Sequence, residues 1–315
     1  MMISKVEATP KESVPSRSVK LKDSVEKNLG YIMVIPSLVV IFGFALYPVA
    51  QAIWMSLHTY KLNMPALGKP FVGISNYLSL FHDERFFKSL YNTFYFSFWS
   101  VLLEFVIGLL IALLINRAFV GRGLVRATVL VPWAIPTVVS AMMWKFMYND
   151  QLGVVNDILV KLGIMDHYKT FLGSTDSALW SIIITDVWKT TPFMALLLLA
   201  GLQVIPTELY EAARVDGAGV MQRFFKITLP LLKPAILVAL LFRTLEAFRV
   251  FDVIVVMTGG GPGNSTESLS MYAHTTMMRY LDFGTGSAIA VVTFLCVMLI
   301  SFFFIKILGV KVDGE

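Results

Sequence analysis

The sequence has 315 residues, of which 57% are apolar and only 15% charged, with a mean hydropathy of +0.72. Soluble globular chains carry about 45–50% apolar and about 25% charged residues, so a soluble globule is excluded and a polytopic membrane protein is expected. The single cysteine, Cys296, excludes an intrachain disulfide and any multi-cysteine zinc or iron–sulfur centre. The formal charge of +5 fits basic anchoring at a membrane face better than phosphate binding, so no nucleic-acid partner is expected.

Residues 1–27 are polar, contain Pro10 and Pro15 and carry six basic residues, which reads as a loosely ordered tail. They lack the apolar stretch of a cleaved signal peptide, so none is expected. Six apolar blocks follow, near 30–56, 92–117, 127–148, 179–202, 234–257 and 285–308. Each reaches the roughly 20 residues with which a helix crosses a hydrocarbon core. The expected architecture is therefore all-α: six transmembrane helices over residues 28–309, then a short tail at 310–315. An even number of spans returns both termini to one side. The segments on that side hold fifteen Lys and Arg residues against seven on the other, which places both termini in the cytoplasm. Trp54, Trp99, Trp133, Trp144, Trp180 and Trp188 fall mostly towards span ends, as interfacial anchors do. The outer segments are long enough only for short helices, such as 84–90 and 156–162.

Polar residues interrupt the spans. Arg243, Glu246, Arg249 and Asp252 alternate in sign every three residues, so on one continuous helix neighbouring members pair. Such a row is read either as an ion-pair ladder that fixes helix packing or, with adjacent Phe248, as a surface that holds a sugar by hydrogen bonds and ring stacking. Glu246 and Arg249 are the preferred ligands in the second case. Asp186, Trp188, Lys189, Thr190 and Thr191 precede Pro192 in the fourth span, with Trp188 and Lys189 as candidate cavity-wall residues. Trp144 is either a third wall residue or an interfacial anchor. Glu104 is isolated in the second span, and is expected to be protonated or paired with another subunit. The glycine-rich run 259–264 must turn sharply.

The loop at 203–234 is charged and strongly patterned. Pro206 and Thr207 are expected to open and cap a helix, Gly217 and Gly219 to end it in a left-handed turn, and a second helix over 219–228 to stop at Pro230. Leu209, Ala212, Ala213 and Asp216 share one face of the first helix, and its small residues let another backbone approach closely. That describes a docking knob, although a helix lying on lipid headgroups has the same pattern.

Glu211-Ala212-Ala213, then Asp216-Gly217-Ala218, then Ile227-Thr228-Leu229-Pro230 resemble the EAA loop of permease subunits in binding-protein-dependent ABC importers. Leu199-Ala200-Gly201-Leu202-Gln203, Ile205-Pro206, Phe251-Asp252 and Thr258-Gly259-Gly260-Gly261-Pro262 are similar to the carbohydrate-uptake branch, its maltose and trehalose types above all. The resemblance runs from about residue 30 to 308. It implies a type I importer permease fold in the inner membrane of a prokaryote, with the loop inserted as a coupling helix into a cytoplasmic ATPase. Glu211 would make the charged contact, Ala212 and Ala213 the close-packed face beside Asp216, and Gly217 the turn. It also implies a sugar substrate, a second homologous permease, two ATPase subunits and an extracytoplasmic sugar-binding protein. The chain contains no GxxxxGK[ST] phosphate loop, so ATP and Mg²⁺ are expected on the partner, with no cofactor, metal or catalysis on this chain. His58, His82, His167 and His274 are too scattered for a metal site. The competing reading is an ion-coupled secondary transporter using Asp186, Lys189, Glu246 and Asp252, which would leave the patterned loop without a role.

Overall fold

The computed structural model describes residues 17–117 and 119–308; residues 1–16 of the expected N-terminal tail, the last residue of the expected membrane domain, 309, and the whole expected C-terminal tail, 310–315, lie outside the described residues. The chain divides into two units, residues 1–51 and 52–315. The first holds most of helix α1, Arg17–Ser56, whose apolar part is Leu29–Ser56. The helix starts within the expected tail, because Lys20, Leu21, Lys22, Glu26 and Lys27 are good helix formers and neither proline nor glycine lies between Pro15 and Gly30.

The second unit contains α2 (Ser75–Leu80), α3 (Glu84–Asn116), α4 (Arg122–Ala134), α5 (Thr137–Met147), α6 (Val154–Lys161) and α7 (Ala178–Val204). It continues with α8 (Thr207–Val215), α9 (Val220–Arg223), α10 (Leu229–Phe248), α11 (Asp252–Met257), α12 (Leu269–Met278) and α13 (Phe283–Leu308). Five helices, α1, α3, α7, α9 joined to α10, and α13, are long and apolar enough to cross a membrane, and the bent pair α4 and α5 makes a sixth span if taken together.

Three expectations change. The block 127–148 is not straight: α4 and α5 meet at 89°. Pro136 drives Ile135 out of the helical region, to φ −75° and ψ 133°, and so sets the break. Residues 84–90 are the first turns of α3 rather than a separate short helix, with Asp83 accepting the Arg85 N–H as its cap. The helix from Val220 does not stop at Pro230 but runs on to Phe248 through a π turn at Phe224–Thr228. Proline tolerates this place because the widened turn relieves its clash with the preceding carbonyls.

Helices α3, α7 and α10 form the centre of the unit. Lipid is as apolar as leucine, so helices in a membrane associate through close packing rather than burial from water. Glycines provide the approach: a Cβ on Gly108 of α3 would lie 2.9 Å from Met194 Cγ, and one on Gly201 of α7 would collide with Ala235 Cβ. Apolar clusters occupy the two ends of this bundle. Phe96, Val101, Ile182 and Ile183 belong to one, and Ala112, Met194, Leu198 and Leu232 to the other. Between them lies a polar layer containing Glu104, Asp186 and Arg243.

Gly201→Val should therefore lower the thermal unfolding midpoint of the detergent-solubilised protein, by the equivalent of about 1–3 kcal/mol for overpacking. Gly123→Ala, on a helix with open space around its Cβ, should leave the midpoint unchanged or slightly raised. Equal midpoints for the two variants would contradict this account of α7 and α10 packing.

The glycine-rich run does turn sharply, with Gly259, Gly260 and Gly263 at φ 63°, 89° and 55°. It is held against α3 by a clasp: Arg85 donates from Nε and Nη2 to the two carboxylate oxygens of Glu267, each at 2.7 Å, and from Nη1 to Tyr280 Oη at 3.0 Å. Lys88 Nζ donates to the Gly263 carbonyl at 2.8 Å, and Asn92 Nδ2 to those of Asn264 and Glu267. Nearby, Tyr272 donates to Asp83; burial first, and then this hydrogen bond, push its phenol pKa up.

Candidate functional site

A charged cavity opens where α10 stops. Arg249 at φ −101° and ψ 18° and Phe251 at φ −143° and ψ −62° leave the helical path, and Asp252 then starts α11. The four-membered row is consequently split between two helices, and the expected ladder of successive pairs does not form. Arg243 and Glu246 are 3.6 Å apart, whereas Arg249 donates only to the Leu245 carbonyl, and neither it nor Asp252 has an ion-pair partner among the described residues. The break instead turns Glu246, Arg249 and Asp252 towards one space, which Lys189 and Thr190 of α7 and Trp133 also line. The cavity measures about 190 Å³.

Its rear wall is a buried network. Arg243 donates from Nε and Nη2 to Glu104 of α3, the Nη2–Oε1 distance being 2.9 Å, and from Nη2 to Asp186 of α7. Thr190 Oγ1 lies 2.6 Å from both Glu104 Oε1 and the Asp186 carbonyl and, with one proton, serves one of them at a time. Glu104 is fully buried. Its partner is thus in the same chain, 139 residues away, and not in another subunit.

Of the residues expected along a substrate path, Lys189, Glu246, Arg249 and Asp252 line this cavity, while Phe248, Trp188 and Trp144 do not. Phe248 is buried against Phe94, edge to face at 5.0 Å. Trp144 packs edge to face on Trp188 at 5.7 Å and lines a separate apolar recess with Trp180 and Phe171. Aromatic packing in the core explains all three. Trp133, whose place near a span end suggests an interfacial anchor, sits at the α4–α5 break, stacked on Phe193 and lining the cavity. The break residue Pro136 was the available signal for this. Nothing local signals the pairing of Glu104 with Arg243.

The patterned loop forms a second site. α8 follows Pro206, and Thr207 is its first helical residue and makes no cap hydrogen bond, contrary to the capping role expected of it. Glu208 in the first turn and Arg214 in the last suit the helix dipole. Gly217 takes φ +79°, its N–H bonding to the Arg214 carbonyl at 3.0 Å, and the Ala218 N–H bonds to the Ala213 carbonyl at 2.8 Å. Gly219 has φ −68° and instead starts the next helix, its N–H bonding to Gln222 Oε1 at 3.1 Å. A contact of 3.0 Å between Tyr210 Oη and Thr228 Oγ1 ties α8 to the base of α10. No residue of α8 is buried, and Leu209 and Val215 are exposed apolar groups. Glu211 stands with Arg117, Arg214 and Arg223 around a recess of about 600 Å³ without pairing to any of them.

Residues 104–314, which contain both sites, match the family described as binding-protein-dependent transport system inner membrane component. The chain belongs to that family. It is a multi-pass plasma-membrane protein and a sugar ABC importer permease, with the type I importer permease fold. It is 49% identical to the trehalose/maltose transport system permease protein MalF of Thermococcus litoralis, over 90% of this chain and 94% of that one. It is 40% identical to the trehalose transport system permease protein SugA of Mycobacterium tuberculosis, over 92% and 91%. A bacterial ABC transporter involved in import of the acidic polysaccharide alginate matches in structure with a TM-score of 0.77 at 25% identity, covering 92% of this permease and 98% of that chain.

Proposed function

We propose that this permease passes a small neutral glycoside, of the disaccharide class, through the charged cavity and is driven by a cytoplasmic ATPase that grips α8. The observation that carries the proposal is the exposed α8, with Glu211, Ala212 and Ala213 on a helix that has no buried residue, Asp216 at its C-cap and the left-handed Gly217 closing it. Tyr210 anchors the helix to the base of α10, and the rest of its surface is free to bind a partner. Arg117, Arg122, Arg214 and Arg223 gather around the same end, which supports a cytoplasmic location for it and hence for both termini.

The cavity volume of about 190 Å³ lies below the roughly 300–1,000 Å³ of sites that enclose a small ligand unaided. This supports a path completed by a second homologous permease. Glycoside selectivity is supported by the lining: three cations, Lys189, Arg243 and Arg249, face three anions, Asp186, Glu246 and Asp252, so donors and acceptors for sugar hydroxyls stand side by side without an excess of cations to recruit an anionic solute. The substrates in the relatives' names, trehalose and maltose, are consistent with that. Two ATPase subunits would hold ATP and Mg²⁺, and an extracytoplasmic binding protein would deliver the sugar; the alginate transporter has been solved with its sugar-loaded periplasmic protein.

The test is purification of the tagged permease from its native membrane followed by identification of the associated chains. A second permease and an ATPase should co-purify, and proteoliposomes of the complex should take up trehalose or maltose only when ATP and the binding protein are present. Uptake by this chain alone, without nucleotide, would overturn the proposal.

A further inference from the structure

A guanidinium has five N–H donors. In Arg243 the Nε–H and both Nη2 hydrogens are committed to Glu104 and Asp186. The remaining two are on Nη1, which among the described residues has only Glu246 near it, at 3.6 Å, too far for a hydrogen bond. Arg243 lines the cavity although it is 3% exposed, and Nη1 is the one nitrogen of the group with no hydrogen-bond partner among the described residues. Glu104 is 0% exposed and does not line the cavity. It presents both carboxylate oxygens to one edge of the guanidinium, an arrangement that fixes the plane and rotation of the group as a single-point contact does not. Glu246, in contrast, has a side chain 60% exposed and has no other ion-pair partner among the described residues, so it can leave Nη1 when another acceptor arrives.

We infer that Arg243 is the cavity's fixed donor to a sugar hydroxyl, and that Glu104 is a positioning residue that aims Nη1 into the path. The inference rests on the assignment of this cavity to the substrate. A sugar hydroxyl oxygen accepts from Nη1 in place of the loosely held Glu246, which then becomes available to accept from a second hydroxyl. Selectivity follows from pre-organisation: a donor held by two carboxylates pays little ordering entropy on binding, and a sugar lacking the matching hydroxyl leaves it unpaired.

Glu104→Gln tests this without unbalancing the buried charge, since Asp186 remains opposite Arg243. The glutamine offers one acceptor oxygen where the carboxylate offered two, and the guanidinium can rotate towards Glu246. Uptake of radiolabelled trehalose and maltose, and of their monodeoxy analogues, is measured in proteoliposomes of the complete importer. The wild type should discriminate about tenfold against the analogue lacking one particular hydroxyl, corresponding to one hydrogen bond of about 1.4 kcal/mol. Glu104→Gln should lower uptake of the parent sugar to the analogue's rate and leave the analogue's rate unchanged, so that the ratio falls to about one. A parallel fall for both sugars, or an unchanged ratio, would overturn the inference while leaving the sugar assignment intact. Arg243→Lys provides an independent check, because a single ammonium pinned by two carboxylates has no planar edge left to offer, and retained discrimination in that variant would also overturn it. A wild-type complex that moves neither sugar would remove the substrate assignment, and this inference with it.

Discussion

Replacing Gly217 by proline should abolish sugar uptake, by more than a hundredfold, while the permease still inserts and folds. Gly217 sits at φ +79°, which the proline ring, fixed near −65°, cannot adopt. The substitution also deletes the N–H that bonds to the Arg214 carbonyl and closes α8. The turn would reopen and α8 would point elsewhere, yet the α3–α7–α10 bundle, which Gly217 does not touch, would be unaffected. Glu211→Lys should have a comparable effect by a different route, reversing the charge on a helix whose geometry is kept. The measurements are ATP-dependent uptake in proteoliposomes, co-purification of the ATPase, and the unfolding midpoint of the purified permease. Normal transport with either variant would remove α8 from the coupling role proposed for it; a lowered midpoint would mean that the loop supports the fold as well.

Arg243→Ala is expected to be the most damaging single substitution to the fold. It leaves the carboxylates of Glu104 and Asp186 facing each other in a buried layer without their cation. Breaking a buried ion network from one side costs roughly 3–5 kcal/mol, because the remaining charge is unpaired. Little folded protein should be recovered from the membrane, and what is recovered should unfold at a markedly lower temperature. Combining Arg243→Leu with Glu104→Gln and Asp186→Asn removes every charge of the network and should restore yield and midpoint, since buried networks can be replaced by neutral groups at little cost. It should not restore transport, because the donor at the cavity is gone. Recovery of uptake in the triple variant would show that the network serves packing alone.

The sequence made the membrane class, the apolar blocks and the patterned loop legible, because each depends on local composition. Twenty apolar residues report a span whatever surrounds them, and Gly217 reports a turn because its neighbours leave few alternatives. What escaped depended on breaks and distant partners. Pro136 bends one expected span, and Pro230, seemingly a stop, is absorbed by a π turn; the same residue type has opposite outcomes because the preceding turn can widen in one place and not in the other. The row Arg243, Glu246, Arg249 and Asp252 stands out in the sequence, but a ladder of successive pairs requires an unbroken helical spacing that Arg249 to Phe251 interrupt. Glu104 read as isolated because its partner lies 139 residues along the chain. Phe248 and Trp144 illustrate the converse: aromatic residues beside charges look like ligands in sequence, yet an adjacent position on a helix can face the core.

The helix that leaves Gly219 runs as one continuous span to Phe248. From Val220 to Arg243 is about 35 Å at about 1.5 Å per residue, and this single rod carries the root of the exposed protrusion at one end and the guanidinium at the other. If the proposed ATPase tilts the near end, the far end would follow as a lever does, with the π turn and Pro234 as the places along the shaft where torque can be taken up. The grip on the solute and the stroke that releases it would then share a clock, with no intermediate gear to slip.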